Sequence, residues 1–325
     1  MKKIQLLMAL GIVVCMGLNG CSIATTKSNN STASSSSQSE NNSTASLSTQ
    51  DNSEFQNVIS ENSSKFQQLS FKDPDTGATL EYDLYVPKDY DASKTYPLLM
   101  FIPDETSIGK TAEELVQQYY GANIWVTDED QSKHESFVLV PAFSERPVND
   151  NWSASNQMGA AVKLINELKQ QYSIDNNRIY STGQGMGCMT SMYLSSKCSD
   201  LFAAYFFVSS DWDVSVLKAL ENDKFFYVTA EGDTKASGGQ EEVMNMFDDE
   251  GIGYTYETWS AKESLEAQNK DVQDMIAQGT NANMIRFQKG SVMEPGDSEM
   301  GNNDVADDYA YRLSSIRDWL FEQSK

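Results

Sequence analysis

The sequence is poor in histidine and in positive charge. Its 325 residues include one histidine, His134, and 24 Lys and Arg stand against 47 Asp and Glu. A net charge of −23 excludes nucleic-acid binding, because phosphate contacts need clustered Lys and Arg. We interpret this acidity as a solvated surface rather than a site, since net charge bears on solubility and not on fold.

Cysteine is scarce as well. The four cysteines form no CxxC pair and lack the spacing of metal ligands, so we expect no metal and no cofactor. Cys188 and Cys198 lie ten residues apart in one predicted helix, which does not settle whether they pair. Two buried free thiols are the favoured state. With no histidine to activate Cys188, cysteine-hydrolase chemistry is disfavoured.

The N-terminus has the organisation of an export signal. Lys2 and Lys3 precede an apolar run, 4–17, that is too short to cross a bilayer. The run ends in Leu-Asn-Gly-Cys, with the cysteine at position 21. This ending resembles the lipobox of bacterial lipoproteins, which implies a signal peptide over residues 1–20 and a lipid on Cys21. An ordinary secretory signal with an incidental cysteine is the alternative.

The predicted location follows from that lipid. Cys21 would attach the protein to the bacterial cell membrane, with the rest of the chain outside the cytoplasm. Residues 21–64 are mostly Ser, Thr, Asn and Gln, and they account for much of the low apolar content of 39%. Such a segment cannot bury enough apolar surface to offset its ordering entropy, so we predict a disordered tether. The globular domain is predicted to span 65–325.

Within that domain, strand and helix patterns alternate. Short apolar runs predict strands at 80–85, 97–102, 137–140, 178–182, 203–208, 225–229 and 254–259. Apolar residues recur at helical spacing from Met158 to Leu168 and from Tyr309 to Leu320. This alternation predicts an α/β fold, a doubly wound and mostly parallel sheet flanked by helices. Its ligand crevice is expected at the carboxyl ends of the strands.

A glycine-rich turn follows the predicted strand 178–182. It reads Gly183-Gln184-Gly185-Met186-Gly187 and leads into the predicted helix Cys188–Ser195. Strand, tight turn and helix are the context of the nucleophile elbow, G-x-S-x-G, in which serine takes the central place. Here Gly185 is central and has no Oγ, so no acyl-enzyme can form on it. Glycine also accepts a positive φ without steric cost.

The residues around this turn resemble a known family. Segments 85–90, 96–98, 175–180 and 200–204 are similar to those of α/β-hydrolase-fold bacterial esterases, near the polyhydroxybutyrate depolymerases, feruloyl esterases and prolyl oligopeptidases. The resemblance covers about 71–325. It implies the α/β-hydrolase fold and an esterase-like ancestry, and it says little about the substrate.

The resemblance also assigns positions to the catalytic groups. Backbone N–H groups of Met186 and of the turn at Asp104 would form the oxyanion site, although a carboxylate there disfavours a developing oxyanion. The family's histidine in that turn is absent, since Pro103 precedes Asp104. Asp233 is the candidate acid, and Asn303 occupies the histidine position by spacing. The chain's histidine, His134, is expected at an amino end of a strand, away from the crevice.

Further candidate residues lie near the expected crevice. Gln184, Trp212 and Asp213 are candidate ligand contacts, because an aromatic ring flanked by acids can stack on a sugar or another flat ligand. Packing of Trp212 in the core is the equal alternative. Five acidic residues crowd the region before the last helix: Asp297, Glu299, Asp304, Asp307 and Asp308. Their spacing does not match a calcium-binding EF-hand loop, so a solvated acidic loop with carboxylates at the start of the following helix is favoured.

Three functions remain open from the sequence. The favoured one is a catalytically inactive pseudo-esterase, anchored by lipid, that binds a small ligand or a cell-envelope partner in its crevice. The second is an active esterase or peptidase that uses non-standard catalytic residues. The third is a structural envelope protein whose crevice is vestigial.

Overall fold

The computed structural model of this protein describes residues 49–292 and 307–325. One sheet of nine strands forms its centre. The strands are β1 Gln67–Lys72, β2 Thr79–Tyr85, β3 Tyr96–Ile102, β4 Phe137–Ala142, β5 Ile174–Gln184, β6 Ala204–Val208, β7 Phe225–Ala230, β8 Tyr254–Trp259 and β9 Ala282–Phe287.

The sheet is parallel except around its second strand. The strand order is β1-β2-β4-β3-β5-β6-β7-β9-β8, and β2 pairs antiparallel with both β1 and β4. All other neighbours are parallel. The central strands are buried on both faces, which explains their continuous apolar sequences. The predicted mostly parallel α/β fold is confirmed.

Helices cover both faces of the sheet. They are α1 Thr49–Asn62, α2 Ala112–Val116, α3 Tyr120–Asn123, α4 Asp128–Lys133, α5 Asn156–Gln171, α6 Met186–Lys197, α7 Thr234–Glu250, α8 Leu265–Ile276 and α9 Ser314–Glu322. The apolar residues of α5, α6 and α7 pack in one core cluster. Those of α1, α2, α3, α8 and α9 pack in the other, on the opposite face.

Helix α1 lies within the stretch predicted as a tether. Its Phe55 and Ile59 are buried in the core, and the Phe55 ring lies 4.7 Å from that of Tyr120. Arg312 lies over the Phe55 ring and also pairs with Glu54. The predicted boundary at residue 65 is therefore wrong, because the folded domain begins no later than Thr49. Phe55 and Ile59, with the half-buried Val58, are enough to dock this otherwise polar helix.

Several predicted elements were incomplete. Strands β1 and β9 were missed, and the single predicted helix 309–320 is interrupted at residues 312–313, between a helical segment at 307–311 and α9. The seven predicted strands are all present. The signal peptide, Cys21 and the tether up to residue 48 lie outside the described residues. In the part of the chain that the structure describes, no helix is long and apolar enough to cross a membrane.

Buried polar contacts attach α9 to the rest of the fold. The Arg317 guanidinium donates to both carboxylate oxygens of Asp130, at 2.8 and 3.0 Å, and both residues are buried. His134 follows α4, with its Nε2 2.7 Å from Asp318 Oδ1 and its ring stacked on Phe321. The single histidine thus packs against the C-terminal helix, before β4 begins.

One carboxyl group is buried within the sheet. Asp83 on β2 is fully buried, and its Oδ1 accepts a hydrogen bond of 2.9 Å from Gln68 Nε2. Its second oxygen has no hydrogen-bond partner among the described residues. Burial raises the pKa of Asp83 to about 7, against a smaller lowering by Gln68. Asp83 is therefore protonated in the folded protein at pH values where it is ionised in the unfolded chain.

This difference makes Asp83 a source of pH-dependent stability. Between about pH 4 and pH 7 the folded state keeps a proton that the unfolded state has lost, so its contribution to the free energy of unfolding falls as pH rises. We expect Asp83→Asn to raise the free energy of unfolding at pH 8 by on the order of 2–4 kcal/mol, with little gain at pH 4. Urea denaturation across this range measures the difference, with Asp89→Asn on an exposed loop as the control. A gain independent of pH would contradict the assignment.

Docking of α1 gives a second prediction. Phe55→Ala removes a buried ring and should lower the free energy of unfolding by about 2–4 kcal/mol. The exposed Gln56→Ala on the same helix should change it by less than about 0.5 kcal/mol. Chemical denaturation of both variants checks this, and equal stability of the two would show that α1 does not contribute to the core.

Candidate active site

The glycine turn has the backbone of a nucleophile elbow. Gly185 lies between the end of β5 and the start of α6, with φ 52° and ψ −120°. Its N–H donates to Val208 O at 3.1 Å, and its carbonyl accepts from Met189 N–H at 3.1 Å. A residue with a side chain is strained in this conformation, and glycine is not. The predicted elbow architecture is present around a residue that carries no nucleophile.

The two outer glycines allow three elements to approach closely. A Cβ built on Gly187 would lie 1.9 Å from the carbonyl oxygen of Ile102, at the end of β3. A Cβ on Gly183 would lie 2.4 Å from the backbone of Gly187. No side chain fits in either place. These contacts hold the start of α6 against the ends of β3 and β5, and they explain the G-x-G-x-G spacing.

Asp104 stands beside the position of the missing nucleophile. A Cβ on Gly185 would lie 3.1 Å from the Asp104 Cβ. Asp104 Oδ1 accepts hydrogen bonds from Thr106 N–H and Thr106 Oγ1, both 2.7 Å, and from Tyr119 Oη at 2.9 Å. The carboxylate is therefore fixed next to the elbow, in the turn from which the predicted oxyanion donor would come.

Gln184 connects Asp104 to a second carboxylate. Its Nε2 donates to Asp307 Oδ2 at 2.9 Å and lies 3.4 Å from Asp104 Oδ2. Gln184 and Asp307 are both buried. Asp307 lies in the helical segment 307–311, and the prediction that this carboxylate is solvated is wrong. Two carboxylates close to Gly185 make the local field unfavourable for a developing oxyanion.

The predicted oxyanion and triad positions are only partly assembled. Met186 is the first residue of α6, where backbone N–H groups lack intrahelical acceptors, as an oxyanion donor requires. Asp233 follows β7 as predicted, and its side chain caps α7 by accepting from the N–H groups of Lys235 and Ala236, both at 3.0 Å. Asn303 lies outside the described residues, as do Asp297, Glu299 and Asp304.

The predicted aromatic contact has a different role. Trp212 is buried, 3% exposed, and its ring packs edge to face on Trp152 and Tyr193. Asp213 Oδ1 accepts from Ser215 N–H and Oγ, and so caps the following turn of 3-10 helix. Trp212 therefore serves packing, and the exposed ring of this cluster is Trp152. Trp152 was not predicted from the sequence, although Asn-Asp-Asn before it is typical of a tight turn that presents the next side chain.

The cysteines provide no alternative nucleophile. Cys188 is a fully buried free thiol, and burial raises its pKa well above the ordinary value. Cys188 and Cys198 do not pair with each other, and within the described residues the expectation of a free thiol holds for Cys188 and is wrong for Cys198. Within 49–292 and 307–325, no group of three or more His, Cys, Asp or Glu side chains could hold a metal ion.

The comparisons with known proteins identify the fold. No protein-family description matches the chain, and no curated protein matches its sequence. A solved structure of a thermostable esterase is similar, with a TM-score of 0.63 and 24% identity over 81% of this chain and 64% of that one. A ferulic acid esterase aligns with a TM-score of 0.51 and 10% identity over 79% of this chain and 98% of that one.

The chain thus spans somewhat less than two thirds of the length of the thermostable esterase that it matches. These likenesses, together with the sheet order and the elbow, show that the protein has the α/β-hydrolase fold. The fold predicted from the sequence is confirmed. At these identities the neighbours establish architecture and do not by themselves assign an activity.

The elbow can be tested by restoring its serine. Gly185→Ser should lower the free energy of unfolding by about 1–3 kcal/mol, because a side chain at φ 52° is strained and meets Asp104. Gly77→Ser is the matched control, since Gly77 has φ 73° with nothing within 4 Å of its Cβ position. The control shows how much a side chain at positive φ costs in open space. Urea denaturation measures both, and a stabilising Gly185→Ser would contradict the described geometry.

Proposed function

We propose that this protein is an exported, lipid-anchored pseudo-esterase that does not hydrolyse esters and that binds a ligand or an envelope partner at the carboxyl edge of its sheet. The observation that carries the proposal is the elbow itself. Gly185 holds the backbone of a nucleophile position without a nucleophile, and Asp104 occupies the adjacent space.

Serine-hydrolase chemistry needs a nucleophile, a base and donors for the oxyanion. Gly185 supplies no hydroxyl, and the chain's one histidine is committed to Asp318 and Phe321 on the C-terminal helix. Asn303, at the histidine position by spacing, has no basic group near neutral pH. The carboxylates of Asp104 and Asp307 oppose negative charge at the elbow. At the positions that the family uses, the chain therefore offers no nucleophile, no base and no favourable site for an oxyanion.

The ordered backbone around the elbow supports a binding role for this edge. The glycine contacts, the cap at Asp233 and the hydrogen bonds to Asp104 fix the loops after β3, β5 and β7 in place. Fold-level analogy to esterases suggests that this edge receives a ligand, because sheets of this type bind ligands at the carboxyl ends of their strands.

The active-hydrolase alternative has one structural candidate. Ser209, after β6, has φ 51°, and its Oγ has no hydrogen-bond partner among the described residues. Positive φ in a residue with a side chain is a recognised property of strained functional positions. However, Ser209 is 1% exposed, so a substrate would not reach it without rearrangement. We therefore favour the inactive protein.

Ester hydrolysis by residues 22–325 tests the proposal directly. We expect no turnover of short acyl or feruloyl esters above a heat-denatured control, and no labelling by a fluorophosphonate. Turnover or labelling would overturn the inactive assignment, and Ser209→Ala would then show whether Ser209 is the nucleophile. Gly185→Ser should remain inactive as well, because no base accompanies the restored hydroxyl.

The anchor is proposed from the N-terminal sequence. Residues 1–20 would be removed, Cys21 would carry the lipid, and the polar segment after it would hold the domain away from the membrane. Metabolic labelling with a fatty acid should mark the wild-type protein and Cys188→Ala, and should not mark Cys21→Ala. Release of an unlabelled wild-type protein into the medium would instead indicate an ordinary secretory signal.

A further inference from the structure

Trp152 is presented on a tight, strained turn at the carboxyl edge of the sheet. Its side chain is 39% exposed and its φ is 63°, which is unusual for a bulky residue. Trp152 N–H donates to Asn149 O at 2.9 Å, and Asn149 N–H donates to Ser153 O at 3.1 Å. A bridge between Val148 and Ala154 closes the turn. The exposed ring therefore stands on a fixed backbone.

Two buried aromatic rings, Trp212 and Tyr193, pack in series behind Trp152. Its ring centroid lies 5.1 Å from that of the buried Trp212, at an interplanar angle of 76°. Trp212 in turn packs on Tyr193 of the elbow helix, with centroids 5.8 Å apart. Trp152 is thereby connected to α6, and packing against buried rings fixes the orientation of its indole.

Ion pairs join the turn that carries Trp152 to neighbouring elements. Asp150, two residues before Trp152, lies within hydrogen-bond distance of Lys235 at the start of α7. Lys235 Nζ also lies 3.6 Å from Asp211 Oδ1, next to Trp212, and Arg146 lies 2.7 Å from Glu105. The hydrogen bond from Lys235 lowers the pKa of Asp150, which keeps that carboxylate ionised in mildly acidic conditions.

We propose that Trp152 is the stacking platform of a carbohydrate-binding subsite, with Asp150 and Lys235 hydrogen-bonding the hydroxyls of the sugar. A pyranose has an apolar C–H face that packs on an indole ring, and hydroxyls at its rim that both donate and accept. The Asp150 carboxylate accepts hydrogen bonds and the Lys235 ammonium donates them, so the pair can bond to both kinds of hydroxyl group. The inference rests on the proposed ligand-binding function of this edge, and it names the ligand class.

Other ligand classes fit these residues less well. A nucleotide or a phosphate would face Asp150, Asp211 and Glu105, in a chain of net charge −23. A quaternary ammonium group is held by several open aromatic faces, and here Trp212 is buried beneath Trp152. A neutral polysaccharide chain requires neither a positive surface nor an enclosed cage.

Isothermal titration of the protein with xylohexaose, cellohexaose, mannohexaose and chitohexaose tests the subsite. We expect at least one of these to bind, and Trp152→Asn to weaken that binding by about tenfold or more, as loss of an aromatic anchor usually does. Asparagine tolerates positive φ, so this variant keeps the backbone of the turn. Trp152→Tyr retains a flat ring and should bind within a few-fold of wild type. Tyr254→Asn, on the far edge strand, should leave binding unchanged.

Glycan binding and ester hydrolysis test the carbohydrate subsite and the inactive elbow separately. No binding of any of the four hexasaccharides, with no ester hydrolysis, would overturn the carbohydrate subsite and leave the inactive elbow standing. Binding that is unaffected by Trp152→Asn would place the glycan elsewhere and also overturn the inference. Ester hydrolysis would overturn the inactive assignment whatever the glycan result. Thermal melts of each variant establish that the fold is retained.

Discussion

The close approach of Gly187 to the carbonyl of Ile102 is the contact on which the site depends. It brings α6 to the ends of β3 and β5 with no side chain between them, because a Cβ there would lie 1.9 Å from the carbonyl oxygen. With these elements in contact, the turn between them has little freedom, and Gly185 takes its positive φ. The same contact sets Asp104, which follows β3, beside the elbow.

The central strands could be predicted because the signal for each one lies within its own short sequence. Strands buried on both faces have continuous apolar sequences, and β3, β4, β6 and β7 were recognised from them. The edge strand β1 has no fully buried residue, so its sequence carries no such pattern. Helix α1 was missed because only Phe55, Val58 and Ile59 of this polar segment pack on the core. Composition alone cannot reveal a docking that rests on so few side chains.

The site was predictable to the extent that it is built from one turn. The turn, its glycines and the place of Met186 follow from a five-residue pattern, and the structure has that turn between β5 and α6. The bond from Gln184 to Asp307 joins residues 123 positions apart, and no sequence periodicity links them. Trp152 was missed because its exposure depends on the backbone of its turn. The assignment of Asn303 stays a prediction.

The glycine at the elbow has a consequence for descent. Serine at position 185 would place a Cβ 3.1 Å from the Asp104 Cβ on a backbone with φ 52°, while the chain's one histidine would still pack against α9. For the inactive protein that we propose, this single reversion adds strain and supplies no base. Regaining the family's chemistry would therefore take several coordinated substitutions, whereas substitutions on the exposed residues around the turn carry no such cost.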